Sequence, residues 1–148
     1  MAVLQMLPVL EFLRDYMATV TVTEGQSTLA KIENAFIGLA QSLPKTPACA
    51  VYPERLNIDY LPAGRTVDDQ SGCTIAIFVK LTPNREVDET ELLRLTDKTG
   101  ELLTAPSFDY TLGELVNDTK YQGASFSTAR LNNLWYRVAY LNIKLEKY

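Results

Sequence analysis

The last fourteen residues, Trp135-Tyr-Arg-Val-Ala-Tyr-Leu-Asn-Ile-Lys-Leu-Glu-Lys-Tyr148, constrain this chain more than any other stretch. Ala139, Leu141, Ile143 and Leu145 alternate with Tyr140, Asn142, Lys144 and Glu146. A period of two over that length is the pattern of a strand with one face in a core and the other turned outward. The chain is therefore expected to finish inside its own sheet, without a loose tail.

A second constraint is an absence: the sequence has no histidine. That removes the commonest general base and the commonest metal ligand together. Both features direct attention to a protein whose work is to hold a shape and a surface.

The 148 residues suit one domain, 1–148, and can bury about two thirds of their unfolded surface without staples. A net charge of −4 with scattered Lys and Arg argues against a grip on nucleic acid, which needs clustered cations. No apolar run approaches the roughly 20 residues of a membrane span, and the N-terminus lacks the basic region of a secretory signal. Cys49 and Cys73 each sit in an apolar, strand-like run and read as small buried hydrophobes of a protein kept in a reducing cytoplasm. With no His and no CxxC spacing they do not make a metal site.

Along the chain, Leu7, Leu10, Leu13 and Met17 predict a short helix over 5–17, with Pro8 near its first turn. Thr19-Val-Thr-Val-Thr-Glu-Gly25 reads as extended and stopped by Gly25. Leu29, Ile32, Phe36, Leu39 and Leu43 form an apolar stripe that predicts a helix over 28–43, capped by Ser27 and ended by Pro44 and Pro47. Residues 48–52 read as a strand closed by Pro53. Residues 61–72, with two glycines, a proline and paired aspartates, read as a polar loop that projects from the fold. Cys73–Leu81 reads as a central strand covered on both faces. Asp88, with Glu91 three places on, predicts a helix start. Leu92, Leu95, Thr99, Leu102 and Leu103 would form its inner face, and Pro106 its stop. A further strand is predicted within 112–128, bulged at Gly123 and anchored by Leu115, Tyr121 and Phe126. Residues 128–133 would connect it to the last strand. The expected class is α+β: a mostly antiparallel four- to five-stranded sheet with helices packed on one face.

Signs of chemistry are few. There is no nucleophile elbow, phosphate-binding loop or dinucleotide fingerprint. Asp68 and Asp69 are adjacent in a loop and read as a solvated turn, with Arg65 on the same loop able to meet an acidic partner patch. Asp88, Glu89 and Glu91 suit a helix N-terminus, where negative charge is favoured. No catalytic, cofactor or metal-binding residue is assigned. Tyr136 and Tyr140, beside Trp135, fall on the nominally outward face of the last strand. Aromatic side chains in such places are enriched at interfaces, unless another element of the chain, such as the N-terminal helix, covers them.

The order of these segments is familiar. A helix leads into Pro47-Ala-Cys-Ala-Val-Tyr-Pro53, then a polar excursion, then Thr74-Ile-Ala-Ile-Phe-Val79. The helix Glu91–Leu103 follows, then a loop with Phe108, then a two-stranded finish ending Arg137-Val-Ala-Tyr-Leu-Asn-Ile-Lys-Leu145. Over residues 28–148 this resembles the tail terminator (tail completion, or head-to-tail joining) proteins of long-tailed bacteriophages. The resemblance implies a structural protein of the virion tail and neck, made in the host cytoplasm, with no enzymatic activity and no cofactor. It implies a homo-oligomeric ring, a hexamer in that family, that caps the tail tube and meets a neck or head-completion protein. Residues 1–26 are then an N-terminal extension. The interface residues expected on this reading are Arg65, Asp68, Asp69, Tyr136 and Tyr140. The rival readings are another neck ring, such as a stopper, a small binding adaptor, and a monomeric enzyme built on the 61–72 loop.

Overall fold

The computed structural model describes residues 4–39, 41–55 and 71–147. In chain order the elements are α1 (Met6–Met17), β1 (Thr21–Glu24), β2 (Ser27–Lys31), β3 (Asn34–Ile37), β4 (Ala48–Arg55), β5 (Ser71–Lys80), α2 (Arg85–Thr104), β6 (Asp118–Leu131) and β7 (Leu134–Glu146). The fold is α+β. β1 and β2 form a separate hairpin, and the main sheet runs β3-β4-β5-β7-β6. Its pairings are antiparallel except β3 on β4, which is parallel. The sheet is thus mixed, with one short parallel edge.

The alternation read in the last strand is present. Ala139, Leu141, Ile143 and Leu145 are at most 2% exposed and belong to the main core. That core lies on the sheet face carrying both helices. α1 contributes Val9, Leu10, Leu13 and Met17, so most of its apolar stripe is committed to the core. α2 contributes Leu92, Leu95 and Leu103, while the Thr96 and Thr99 hydroxyls donate back to the Leu92 and Leu95 carbonyls. Burial of this apolar area is the main favourable contribution to folding.

The segment between α1 and β4 departs from the sequence expectation. The apolar stripe over 28–43 does not form a helix. It is divided between β2, β3 and the chain after them. Ile32 enters the main core, Leu43 the opposite face of the sheet, and Leu39 stays 80% exposed. The cause lies upstream. Gly25, at φ +61°, follows Glu24, which pairs with Ser27, so a two-residue turn folds β2 back on the β-branched β1.

Three further boundaries are corrected. Pro53 does not close β4. It lies within that strand at a point past the last β3 pairing at Val51, where its missing N–H has no β3 neighbour to bond. The stretch 112–117 is turn, with Leu112, Gly113 and Glu114 at positive φ, and β6 starts at Asp118. Residues 128–131 are still strand, and the connection to β7 is only Asn132-Asn133, both at positive φ, as a two-residue hairpin of the primed type requires. The bulge at Gly123 is present: φ is +110° and the register shifts between Tyr121 and Ala124.

α2 begins three residues before Asp88. Its N-cap is Asn84, which accepts from the Val87 N–H. Asp88 itself is buried and accepts from the Thr82 N–H at 2.6 Å and from the Thr82 hydroxyl at 2.8 and 3.0 Å, which ties the helix to the end of β5. The helix ends one residue before the extended Ala105, as a following proline demands.

Candidate interaction surface

The face of the sheet opposite the helices carries its own apolar cluster. Leu43, Ala48, Ala50, Ala76, Phe78, Tyr136 and Val138 are buried in it, with Phe36, Tyr52, Ala129, Leu131 and Tyr140 packed partly against it. It arises from the second parity of β4, β5 and β7, which the strand pattern leaves outward.

This placement corrects the expectation for Tyr136. Its ring is 1% exposed and meets Phe78 edge to face, with centroids 6.4 Å apart at 88°. The covering contacts belong to this second cluster, on the face away from α1. The sequence signal for that lay in Ala76, Phe78 and Val138, which give the strands apolar residues on both parities. Tyr140 is half-buried at the margin of the same cluster. Arg65, Asp68 and Asp69, with the rest of 56–70, lie outside the described residues, as does the expectation that this loop projects. Ser71 and Gly72, assigned to the loop by the sequence, are the first residues of β5.

Beside Tyr140 the face turns polar. The Thr74 hydroxyl donates to the Glu54 carboxylate at 3.2 Å. Burial pushes the Tyr52 phenol above its ordinary pKa; Tyr140 and Glu54 add to the rise, and the hydrogen bond with Thr74 opposes it. A half-covered surface of two phenols, an amide at Asn142 and a carboxylate suits recognition of a polar protein surface.

The far end of the β6–β7 hairpin is more apolar than a free surface needs to be. Leu134 and Trp135, beside the turn, are 42% and 51% exposed, and Phe126, five pairs farther along β6, is 41% exposed. The Arg130 guanidinium lies 5.7 Å from the Trp135 ring centroid, and Arg130 also donates to Asn133 at 3.0 Å. Arg137, two positions along β7, forms a two-pronged ion pair with Glu89 of α2 at 2.8 and 3.3 Å. Of this group the sequence singled out Trp135 as a neighbour of the tyrosines and Phe126 as a strand anchor. The exposure of Leu134 follows from the two-residue turn, which was not foreseen.

The surface depressions are shallow settings for chemistry. One of about 530 Å³ is lined by Gln41, Ser42, Arg130, Leu131 and Asn132. Another, of about 260 Å³, lies over the start of α2 and includes Glu91 and Arg94. Glu91 is held above the usual carboxylate range by burial, then by Asp88 and Glu33. Among the described residues no three potential ligands from Cys, Asp and Glu converge as a metal site. The two thiols are buried and unpaired with each other. Cys49 lies opposite Ile77 and Cys73 opposite Pro53, four positions along the β4–β5 ladder, or about 13 Å, beyond the reach of a disulfide. No described helix is long and apolar enough to cross a membrane.

The fold and these surfaces define an α+β protein with one face sealed by helices and a second face partly clothed in aromatic side chains. In comparisons with known proteins, no family model and no curated protein matches the chain.

Proposed function

We propose that the chain is a structural ring subunit of the phage tail terminator kind, which caps a tail tube and offers a docking face to a neck or head-completion protein. The observation that carries this reading is the hairpin end. Leu134 and Trp135 are exposed at the end of a hairpin whose other end is built into the core, and Phe126 is exposed farther along its outer strand. Apolar and aromatic side chains held in water on a rigid element gain free energy when a partner covers them. The aromatic margin at Tyr140 extends the same argument to the second face. A ring requires two different surfaces per subunit that meet with rotational closure, and the hairpin end and the Tyr140 margin are two such surfaces. The resemblance, which loses the helix expected over 28–43 and rests on the order of segments from Ala48 onward, suggests the partners: further copies of the chain, the tail-tube protein and the neck.

The test is the solution mass of the protein with and without purified tail-tube protein, alongside Tyr140→Ala and Trp135→Ala. The variants are expected to keep the wild-type circular dichroism and to lose the tube-dependent assembly. A wild-type protein that ignores the tube, or variants that assemble and limit tail length normally, would refute the reading.

A further inference from the structure

We infer that β6 is a self-pairing edge, through which two copies of this chain join their sheets about a two-fold axis. Among the described residues β6 pairs with β7 alone and forms one edge of the main sheet. Every second residue of such a strand turns its N–H and C=O away from its single partner. Natural edges guard these groups with lysines, prolines, bulges or short length. β6 is 14 residues long, and from Tyr121 to Ala129 it carries no charge and no proline. Its bulge guards only the stretch before Ala124. Beyond it, Ala124, Ser125, Phe126, Ser127 and Thr128 are consecutive exposed residues, so the side chains of both faces and the backbone edge between them lie open. The opposite edge, β3, is four residues long and each is half-buried.

The occupant follows from the sequence of the edge itself. A two-fold axis normal to the sheet sets residues of equal parity opposite each other, so one residue must face its own copy. The regular run after the bulge, Ala124–Arg130, has Ser127 at its midpoint. In that register Phe126 meets Thr128 of the second copy on the helix side of the sheet. Ser125 meets Ala129 and Ser127 meets Ser127 on the other side. Arg130, the one charge in the run, meets Ala124. No like charges are opposed, although each copy carries a net −4. An aromatic side chain opposite a β-branched one is among the favourable cross-strand pairs. The contact adds on the order of seven backbone hydrogen bonds and makes one continuous sheet of two five-stranded halves. The contact is isologous and cannot by itself close a ring, so this inference stands apart from the ring reading.

Crosslinking tests the register. Both native thiols are buried, so an introduced cysteine reports alone. Paired strands place opposed Cα atoms about 4.5–5.5 Å apart, within disulfide range. In oxidised glutathione, Ser127→Cys is expected to form a covalent dimer at least about tenfold faster than Ser125→Cys, whose two copies would sit four positions out of register, roughly 13 Å apart. Equal rates, or no dimer from Ser127→Cys, would overturn the pairing. Sedimentation of the unmodified chain supplies the second arm. A reversible dimer is expected, weakened several-fold by Ser127→Lys, which sets two like charges face to face. A monomer at all concentrations, or a ring indifferent to Ser127→Lys, would refute the self-pairing edge. The second of these results would leave the ring reading intact.

Discussion

Leu141→Ala should cost about 4 kcal/mol of stability. Leu141 is 0% exposed on the helix side of β7, the strand flanked by both β5 and β6. The substitution removes roughly three methylene equivalents, worth about 0.8 kcal/mol each when buried. Its neighbours are Ile75 on β5 and Ala124 on β6, fixed in register and unable to close fully over the gap. A residual cavity on the order of 60 Å³ costs a further ~1.4 kcal/mol at about 24 cal/mol per Å³. For a domain of this size each kcal/mol lowers Tm by roughly 2–4 °C, so the melting midpoint should fall about 8–16 °C. Leu134→Ala is the internal control. It is the same substitution in the same strand, but Leu134 is 42% exposed, and a change within about 0.5 kcal/mol is expected. Urea titrations followed by tryptophan fluorescence and circular dichroism would measure both, with the slope checked for constancy. Equal losses for the two variants, or a loss below ~1 kcal/mol for Leu141→Ala, would show that β7 does not divide core from surface as described.

Two further outcomes follow from buried groups. Asp88→Ala removes a buried carboxylate that accepts from the N–H and hydroxyl of the exposed Thr82, and should destabilise the protein by about 0.5–1.5 kcal/mol, read as a lowered urea midpoint; Asp88→Asn, which keeps one carbonyl oxygen, should recover part of the loss. Burial raises both thiols, Cys73 to about 12, so the folded state holds their protons more tightly than the unfolded state does. The stability this contributes is fully present below the unfolded thiol pKa of roughly 8.5 and is lost progressively as pH rises from there toward about 12. Thermal melts from pH 8 upward should therefore decline less steeply in Cys73→Ala than in the parent, and a thiol reagent at pH 8 should label neither cysteine until denaturant is added.

The parts of the fold that the sequence announced are those where one physical signal acted alone. β7 shows alternation, α2 a stripe with a proline stop, and α1 a stripe committed to the core. The stretch 28–43 carried two signals at once. Its apolar residues happen to recur at helical spacing, but Val22, Ala30 and Ile32 also suit a hairpin, and Gly25 supplies its turn. Chain reversal at Gly25 lets the β-branched β1 pair immediately, and that local pairing overrides the helical spacing. Asn132-Asn133 was an equally local signal, because asparagine tolerates positive φ, and it places the hairpin turn at two residues. The candidate surface was legible only in its ingredients. Aromatic content near the end of the chain is visible in sequence. Which rings are sealed depends on Ala48, Ala50 and Ala76, whose small side chains leave room for the edge-to-face pair of Tyr136 and Phe78 on a second face, and such packing leaves no periodic mark.

β5 is buried on nearly every residue from Ser71 to Val79. A strand of this kind carries no polarity code for its own alignment. Slipping it by one residue would exchange Ile75 and Ile77 for Thr74, Ala76 and Phe78 on the helix side, replacing one mostly apolar set by another. Its alignment must therefore be dictated by β7, where polar Asn142 and Lys144 forbid inversion of the strand. In informational terms β7 is the ruler and β5 the blank tape laid against it. Substitutions that blur the alternation of β7 should thus produce a misaligned sheet even where each is individually mild, and substitutions in β5 should be felt as lost volume.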